Sequence, residues 1–161
     1  MTSQPFIVLL EDERAQLLAL RAALKGLGEI QEFGDPAEAL SFLKQHAVDA
    51  AVIDVHMPRF QMNGLDFIRA VRGFDQDLCV IIRTGDESAE LADGAIEVRA
   101  FRRAIKGRIS IDELRSLTLA AVNETRQRRQ VTIDAASVAE VKTQLAKTLG
   151  SVEEELSTID G

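Results

Sequence analysis

The chain has 161 residues, a formal charge of −7 and 46% hydrophobic residues; this length fits one domain with an appendage and supplies ample apolar material for a core. The acidic balance argues against direct contact with nucleic acid or an anionic membrane, and without Trp or Tyr there is little to stack on bases. A single cysteine excludes an intrachain disulfide framework and fits a reducing, cytoplasmic setting; no signal peptide is expected, and no apolar run approaches the roughly 18 residues of a membrane span.

Strand and helix signals alternate along the chain. The run Phe6-Ile7-Val8-Leu9-Leu10, closed by Glu11-Asp12, predicts a buried strand over about 5–10. Leu17, Leu18, Leu20, Ala23, Leu24 and Leu27 then recur at helical spacing, and Gly28 is the expected stop. A short strand follows at about 29–33. Asp35-Pro36 predicts a helix start, with Asp as N-cap and Pro in the first turn, running to about His46. A third strand is expected at 49–54, a loop at 55–64, and then a helix with Leu65, Ile68 and Val71 on one face. Residues 78–83 predict a fourth strand, in which Cys79 reads as a small buried hydrophobe. A polar, weakly helical stretch at 86–94 precedes a fifth strand within 100–105. Ser110-x-x-Glu113 is a capping box that opens the next helix. Such a βα succession implies an α/β fold, a parallel sheet with helices on both faces.

Beyond about residue 122 the composition changes. Arg126, Arg128 and Arg129 form a small basic knot, and Val131, Val138, Leu145, Val152 and Ile159 then recur every seven residues. Val141, Leu149 and Leu156 widen the stripe, and Ser137-x-x-Glu140 is a second capping box at which the helix could restart. The segment reads as one or two amphipathic helices whose apolar face needs a partner: this domain, a second copy or another protein. A homodimer through this extension is the expectation, because soluble monomers rarely expose so long a stripe. The expected division is 1–122 for the first domain and 123–161 for the extension.

Asp54 ends the apolar run Ala50-Ala51-Val52-Ile53, and Glu11-Asp12 ends the first. Two strand ends therefore deliver three carboxylates to one edge of the sheet, where open α/β folds place their ligand crevice. Packed like charges need a cation, a proton or a basic partner.

Glu11-Asp12, then Asp54-Val55-His56-Met57-Pro58 with Gly64, then Thr84-Gly85, then Lys106 stand in order after successive predicted strands. On these residues the chain resembles, over about 4–122, the receiver domain of bacterial two-component response regulators. The resemblance implies a flavodoxin-like, doubly wound five-stranded sheet of order 2-1-3-4-5. It also implies phosphotransfer from a sensor histidine kinase or phosphotransfer protein to Asp54, read out by a downstream protein target. Mg²⁺ would be held by Asp12, Asp54 and the backbone carbonyl of His56, with Glu11 acting through a water. Lys106 would pair with Asp54 and later with the phosphoryl oxygens. Thr84 would donate its hydroxyl to that group, and Gly85 would let it approach the backbone. Such a protein is no enzyme beyond its own Mg²⁺-dependent phosphotransfer and autodephosphorylation.

The chain departs from the pattern in three places. The loop between Pro58 and Gly64 is longer by two residues, Gly107 replaces a usual proline, and Arg103 stands where an aromatic usually couples to Thr84. The alternative reading is therefore a pseudo-receiver, an interaction module that signals without phosphate. A haloacid-dehalogenase-type phosphohydrolase would need a second Asp two residues after Asp54, and His56 occupies that place.

Overall fold

The computed structural model describes residues 3–160. Strands β1 (Phe6–Leu10), β2 (Glu29–Phe33), β3 (Ala50–Ile53), β4 (Val80–Thr84) and β5 (Arg102–Ile105) form one parallel five-stranded sheet in the order β2-β1-β3-β4-β5. Helices α1 (Arg14–Leu24), α2 (Pro36–Gln45), α3 (Gly64–Arg72), α4 (Ala89–Glu97) and α5 (Ile111–Ile159) follow the strands in turn. This is the doubly wound, flavodoxin-like order that the motifs implied.

Strand alternation divides the core between the two faces. Val8, Leu10, Ala51, Ile53, Val80 and Ile82 pack with residues of α2, α3 and α4, among them Leu43, Phe67, Ile68 and Leu91. Their neighbours Ile7, Leu9, Ala50, Val52 and Ile81 pack with Leu17, Leu20 and Leu24 of α1 and Leu114, Ala121 and Val122 of α5. The central strands read as unbroken apolar runs because both faces are covered.

Local signals set the helix starts. The Asp35 side chain accepts from Ala37 N at 2.8 Å, with Pro36 in the first turn. Asn63 and Asp66 form a full capping box ahead of α3. Ser110 and Glu113 form the expected box before α5, and the Ser110 backbone N–H and hydroxyl hold the Glu113 carboxyl below its ordinary pKa.

Several boundaries differ from expectation. Helix α1 ends at Leu24, two residues short of the expected 26 and ahead of the stop at Gly28, because Gly26, at φ +87°, turns the chain earlier. Strand β4 begins at Val80, two residues later than expected, where the Cys79 N–H donates to Thr125 Oγ1 at 2.9 Å. Helix α4 spans Ala89–Glu97, later than 86–94, because Ser88 is its N-cap and accepts from Leu91 N. Helix α5 does not restart at Ser137 and is continuous for 49 residues. Good helix formers surround Ser137, and no proline interrupts the segment.

The chain forms two compact units, one up to Arg126 and one from Gln127 onward. In the first, Leu114, Thr118, Ala121, Val122 and Thr125 of α5 are buried, and Arg126 holds Asp49 through both carboxylate oxygens at 3.1–3.2 Å. In the second, every residue from Val131 to Asp160 is exposed, including the apolar stripe. Among the described residues, no helix is long and apolar enough to cross a membrane.

Candidate functional site

The carboxyl ends of β1, β3, β4 and β5 deliver Glu11-Asp12, Asp54, Thr84 and Lys106 to one edge of the sheet. Main-chain bonds fix each arrival. Asp54 N donates to Leu10 O at 2.9 Å, joining the ends of β1 and β3, and Lys106 N donates to Thr84 O at 2.8 Å, joining β4 and β5. After Lys106 the chain turns through Gly107 at φ +81°, a conformation a side chain would strain. Gly64 closes the loop that follows Asp54. Its N–H donates to Val55 O at 2.9 Å, and a Cβ there would lie 2.5 Å from Asp54 O.

Glu11, Asp12 and Asp54 offer ligand oxygens that all lie within 4.8 Å of one another. Glu11 and Asp54 are buried, and Asp12 is partly exposed. Lys106 Nζ sits 2.9 Å from Asp54 Oδ2 and 3.5 Å from Glu11 Oε2. One ammonium thus faces a cluster of three carboxylates, leaving excess negative charge. The consequence appears at Glu11, whose pKa is pushed up to about 7, first by burial and then by the charge of Asp54 and a hydrogen bond with it. The oxygen-only ligand set and its partial opening to solvent suit a hard divalent cation that keeps several waters.

The sequence-predicted residues come together as one group. Thr84 is fully buried, and its Oγ1 accepts from Asp86 N at 3.0 Å. A Cβ at Gly85 would meet nothing within 4 Å, so space is open beside the Thr84 turn. The His56 backbone N–H donates to Asp54 Oδ1 at 3.2 Å. Arg103 lies on β5 opposite Ile82 and is exposed. Phe101 packs into the α1–α5 side of the core.

The sequence reading did not single out Asp86. Its Oδ2 lies 3.0 Å from His56 Nε2, and its Oδ1 accepts from Ser88 N at 2.8 Å. The Ser88 backbone N–H, the Ser88 hydroxyl and the His56 ring together lower its pKa. Its position two residues after Thr84 was the one available signal, and that means little until the loop is folded.

The family model "Response regulator receiver domain" matches residues 7–118. The chain is 29% identical over 171 residues to the cyclic di-GMP phosphodiesterase response regulator RpfG of Xanthomonas campestris pv. campestris, covering 96% of this chain and 44% of that protein. It is 36% identical over 83 residues to response regulator MprA of Mycobacterium tuberculosis, covering 51% of this chain and 35% of that one. The chain therefore spans less than half the length of these curated relatives. Among solved structures, the signal receiver domain of an HD domain-containing protein from Pseudomonas fluorescens Pf-5 matches with TM-score 0.74 and 24% identity, over 81% of this chain and 95% of that one. A CheY-like receiver domain protein from Methanospirillum hungatei JF-1 matches with TM-score 0.70 and 19% identity, over 78% and 99%.

Proposed function

The chain belongs to the response regulator receiver family, whose members are signalling switches built on phosphorylation, and from that premise we propose that Asp54 is the residue that accepts the phosphoryl group. The observation that carries this reading is the placement of Asp54: nearly buried, at a strand end, with Lys106 at 2.9 Å and two further carboxylates beside it. The donor is a sensor histidine kinase or phosphotransfer protein. A carboxylate oxygen of Asp54 attacks phosphorus, the P–N bond of the donor phosphohistidine breaks, and the leaving imidazole nitrogen takes a proton from water. Hydrolysis later breaks the P–O bond to Asp54, releasing inorganic phosphate and restoring the carboxylate.

The chain's own groups position this exchange. The His56 N–H holds Asp54 Oδ1 and Lys106 holds Oδ2, fixing the carboxylate plane. Lys106 is placed to follow the charge from carboxylate to phosphoryl oxygen. Thr84 Oγ1 accepts from Asp86 N and keeps its own hydroxyl proton to donate to the phosphoryl group, for which Gly85 leaves room. Asp12, Asp54 and the carbonyl of His56 would hold Mg²⁺, with Glu11 acting through a water. Bound there, the ion neutralises the carboxylates and the incoming dianion.

Residues 1–122 then form the switch, which acts on a downstream protein target, and 123–161 form the extension through which two copies associate, in the cytoplasm. Support for association is the stripe from Val131 to Ile159, whose apolar side chains are 45–77% exposed. Arg103, an exposed cation in place of an aromatic, and Gly107 in place of a proline favour the second reading, a module that signals without phosphate. An acid-labile phosphate acquired from acetyl phosphate only with Mg²⁺, and lost in Asp54→Asn, supports the phosphoacceptor reading. Equal labelling of that variant overturns it.

A further inference from the structure

We propose that a second copy of this chain lies antiparallel on the extension, in the register that sets Lys142 of each helix beside Glu153 of the other. The proposal rests on the reading that two copies associate through residues 123–161.

The exposed stripe carries a second row. Val131, Val138, Leu145, Val152 and Ile159 recur every seven residues, and four residues beyond the first four of them stand Ala135, Lys142, Leu149 and Leu156. The rows alternate by four and three along one continuous helix, which is the spacing of a two-helix seam. Every member of both rows is exposed. At roughly 60–120 Å² of apolar surface for each large side chain buried, two copies of the seam cover on the order of 1,000 Å², the size a specific interface needs.

Size and charge set the direction. In a parallel pair each seam residue meets its own counterpart. Ala135 would face Ala135 and leave a gap, Lys142 would face Lys142 where water is excluded, and Glu155 would flank Asp160 of the second copy. In an antiparallel pair centred on residue 147, Ala135 meets Ile159, Val138 meets Leu156, Lys142 meets Val152 and Leu145 meets Leu149. The smallest seam residue then faces a large one, and the layers are more even in volume. Glu155 flanks Val141 and Asp160 flanks Thr132, so the acids are kept apart.

The same register places Lys142 within one residue, about 1.5 Å along the axis, of Glu153 on the second copy. Each of these charges needs a partner from outside its own helix. Three and four residues from Lys142 stand Val138, Ala139, Leu145 and Ala146; around Glu153 stand Leu149, Gly150, Leu156 and Ser157. Helical spacing therefore brings neither of them an opposite charge. The antiparallel dimer brings both together, and its two-fold axis does so twice.

The test uses the full chain. Cys79 is fully buried, so introduced thiols are the ones that oxidise. Val138→Cys and Leu156→Cys are prepared separately, then oxidised alone and after mixing under reducing conditions, and bridges are identified by peptide mass. The expected product is the mixed bridge between positions 138 and 156. Self-bridges should be scarce, because the two copies of either position lie roughly 27 Å apart along the axis, against a disulfide reach of about 7 Å between Cα atoms. Self-bridges in each variant alone, or a mixture without the mixed bridge, overturn the antiparallel seam. Sedimentation equilibrium tests the charge pairing. Lys142→Glu and Glu153→Lys should each weaken the dimer about five- to thirtyfold, for two partly exposed pairs, and the double variant should return to near the parent. Single variants without effect, or losses that multiply in the double variant, overturn the pairing. A monomeric parent at micromolar concentration fails the association reading itself, an outcome distinct from a dimer that bridges in the wrong pattern.

Discussion

Removing the Lys106 ammonium should destabilise the metal-free protein and leave a defect that Mg²⁺ repairs. Lys106 Nζ lies 2.9 Å from Asp54 and 3.5 Å from Glu11, and its side chain is 23% exposed against 7% and 2% for the two acids. A fully exposed pair contributes at most about 1 kcal/mol. Stripping one partner from a fully buried pair costs about 3–5 kcal/mol, because a desolvated charge is left behind. This site lies between those limits, so Lys106→Ala should cost about 2 kcal/mol in urea unfolding of the apo protein. For a chain of this length that corresponds to roughly 4–8 °C in Tm. The cost arises from carboxylates left facing one another, so two comparisons isolate it. In an Asp54→Asn background the same substitution should cost under about 1 kcal/mol. With millimolar Mg²⁺ the gap between Lys106→Ala and the parent should narrow, since the variant keeps all three acids and gains more from a cation. A loss that is unchanged in the Asp54→Asn background and unaffected by Mg²⁺ would refute the electrostatic reasoning and assign Lys106 a packing role.

Other outcomes follow from the same geometry. Asp12→Ala should weaken Mg²⁺ binding more than Glu11→Gln in a calorimetric titration, and the reverse order would exchange their roles. Glu11 has a folded pKa near 7 against an ordinary value of 4.5. Its protonated form therefore favours the fold; that stabilisation is complete below about pH 4.5 and is lost as pH rises through 7. Glu11→Gln stays neutral, so in metal-free buffer the stability of the parent relative to this variant should fall across that window, by on the order of 3 kcal/mol at most. A flat difference would contradict the assigned cause. Leu145→Glu, which places a charge in the middle of the exposed stripe, should weaken self-association in sedimentation equilibrium; a full-length parent that is monomeric at micromolar concentration would remove the dimer from the proposal.

Much of the fold was legible because its signals are local. Apolar runs closed by acids marked β1 and β3, and side-chain caps at Asp35 and Ser110 marked α2 and α5. Both faces of the sheet are covered, so its strands could be read as unbroken runs. The start of β4 was missed where a distant group intervened. Leu78 and Cys79 are as apolar as the strand they precede, yet the Cys79 N–H goes to Thr125, 46 residues away. Arg72, in the last turn of α3, was not singled out from the sequence. It is buried and donates to the carbonyls of Asp75 and Leu78 in the loop before β4 and of Val98 and Arg99 after α4, and the last two meet it only once α4 is in place. At the site, the acids could be found at strand ends, and Thr84 and Lys106 through the resemblance to receiver domains. Asp86 could not, because its meeting with His56 depends on how two loops fold toward each other.

The most direct measurement of the central claim is the position of the phosphoryl group. The full chain, treated with acetyl phosphate and Mg²⁺, would be reduced with borohydride, which converts an aspartyl phosphate to homoserine, and then mapped by peptide mass spectrometry. Homoserine at position 54, absent when Mg²⁺ is chelated, is the predicted result. Conversion at another carboxylate, or at position 54 to the same extent without the metal, would contradict it.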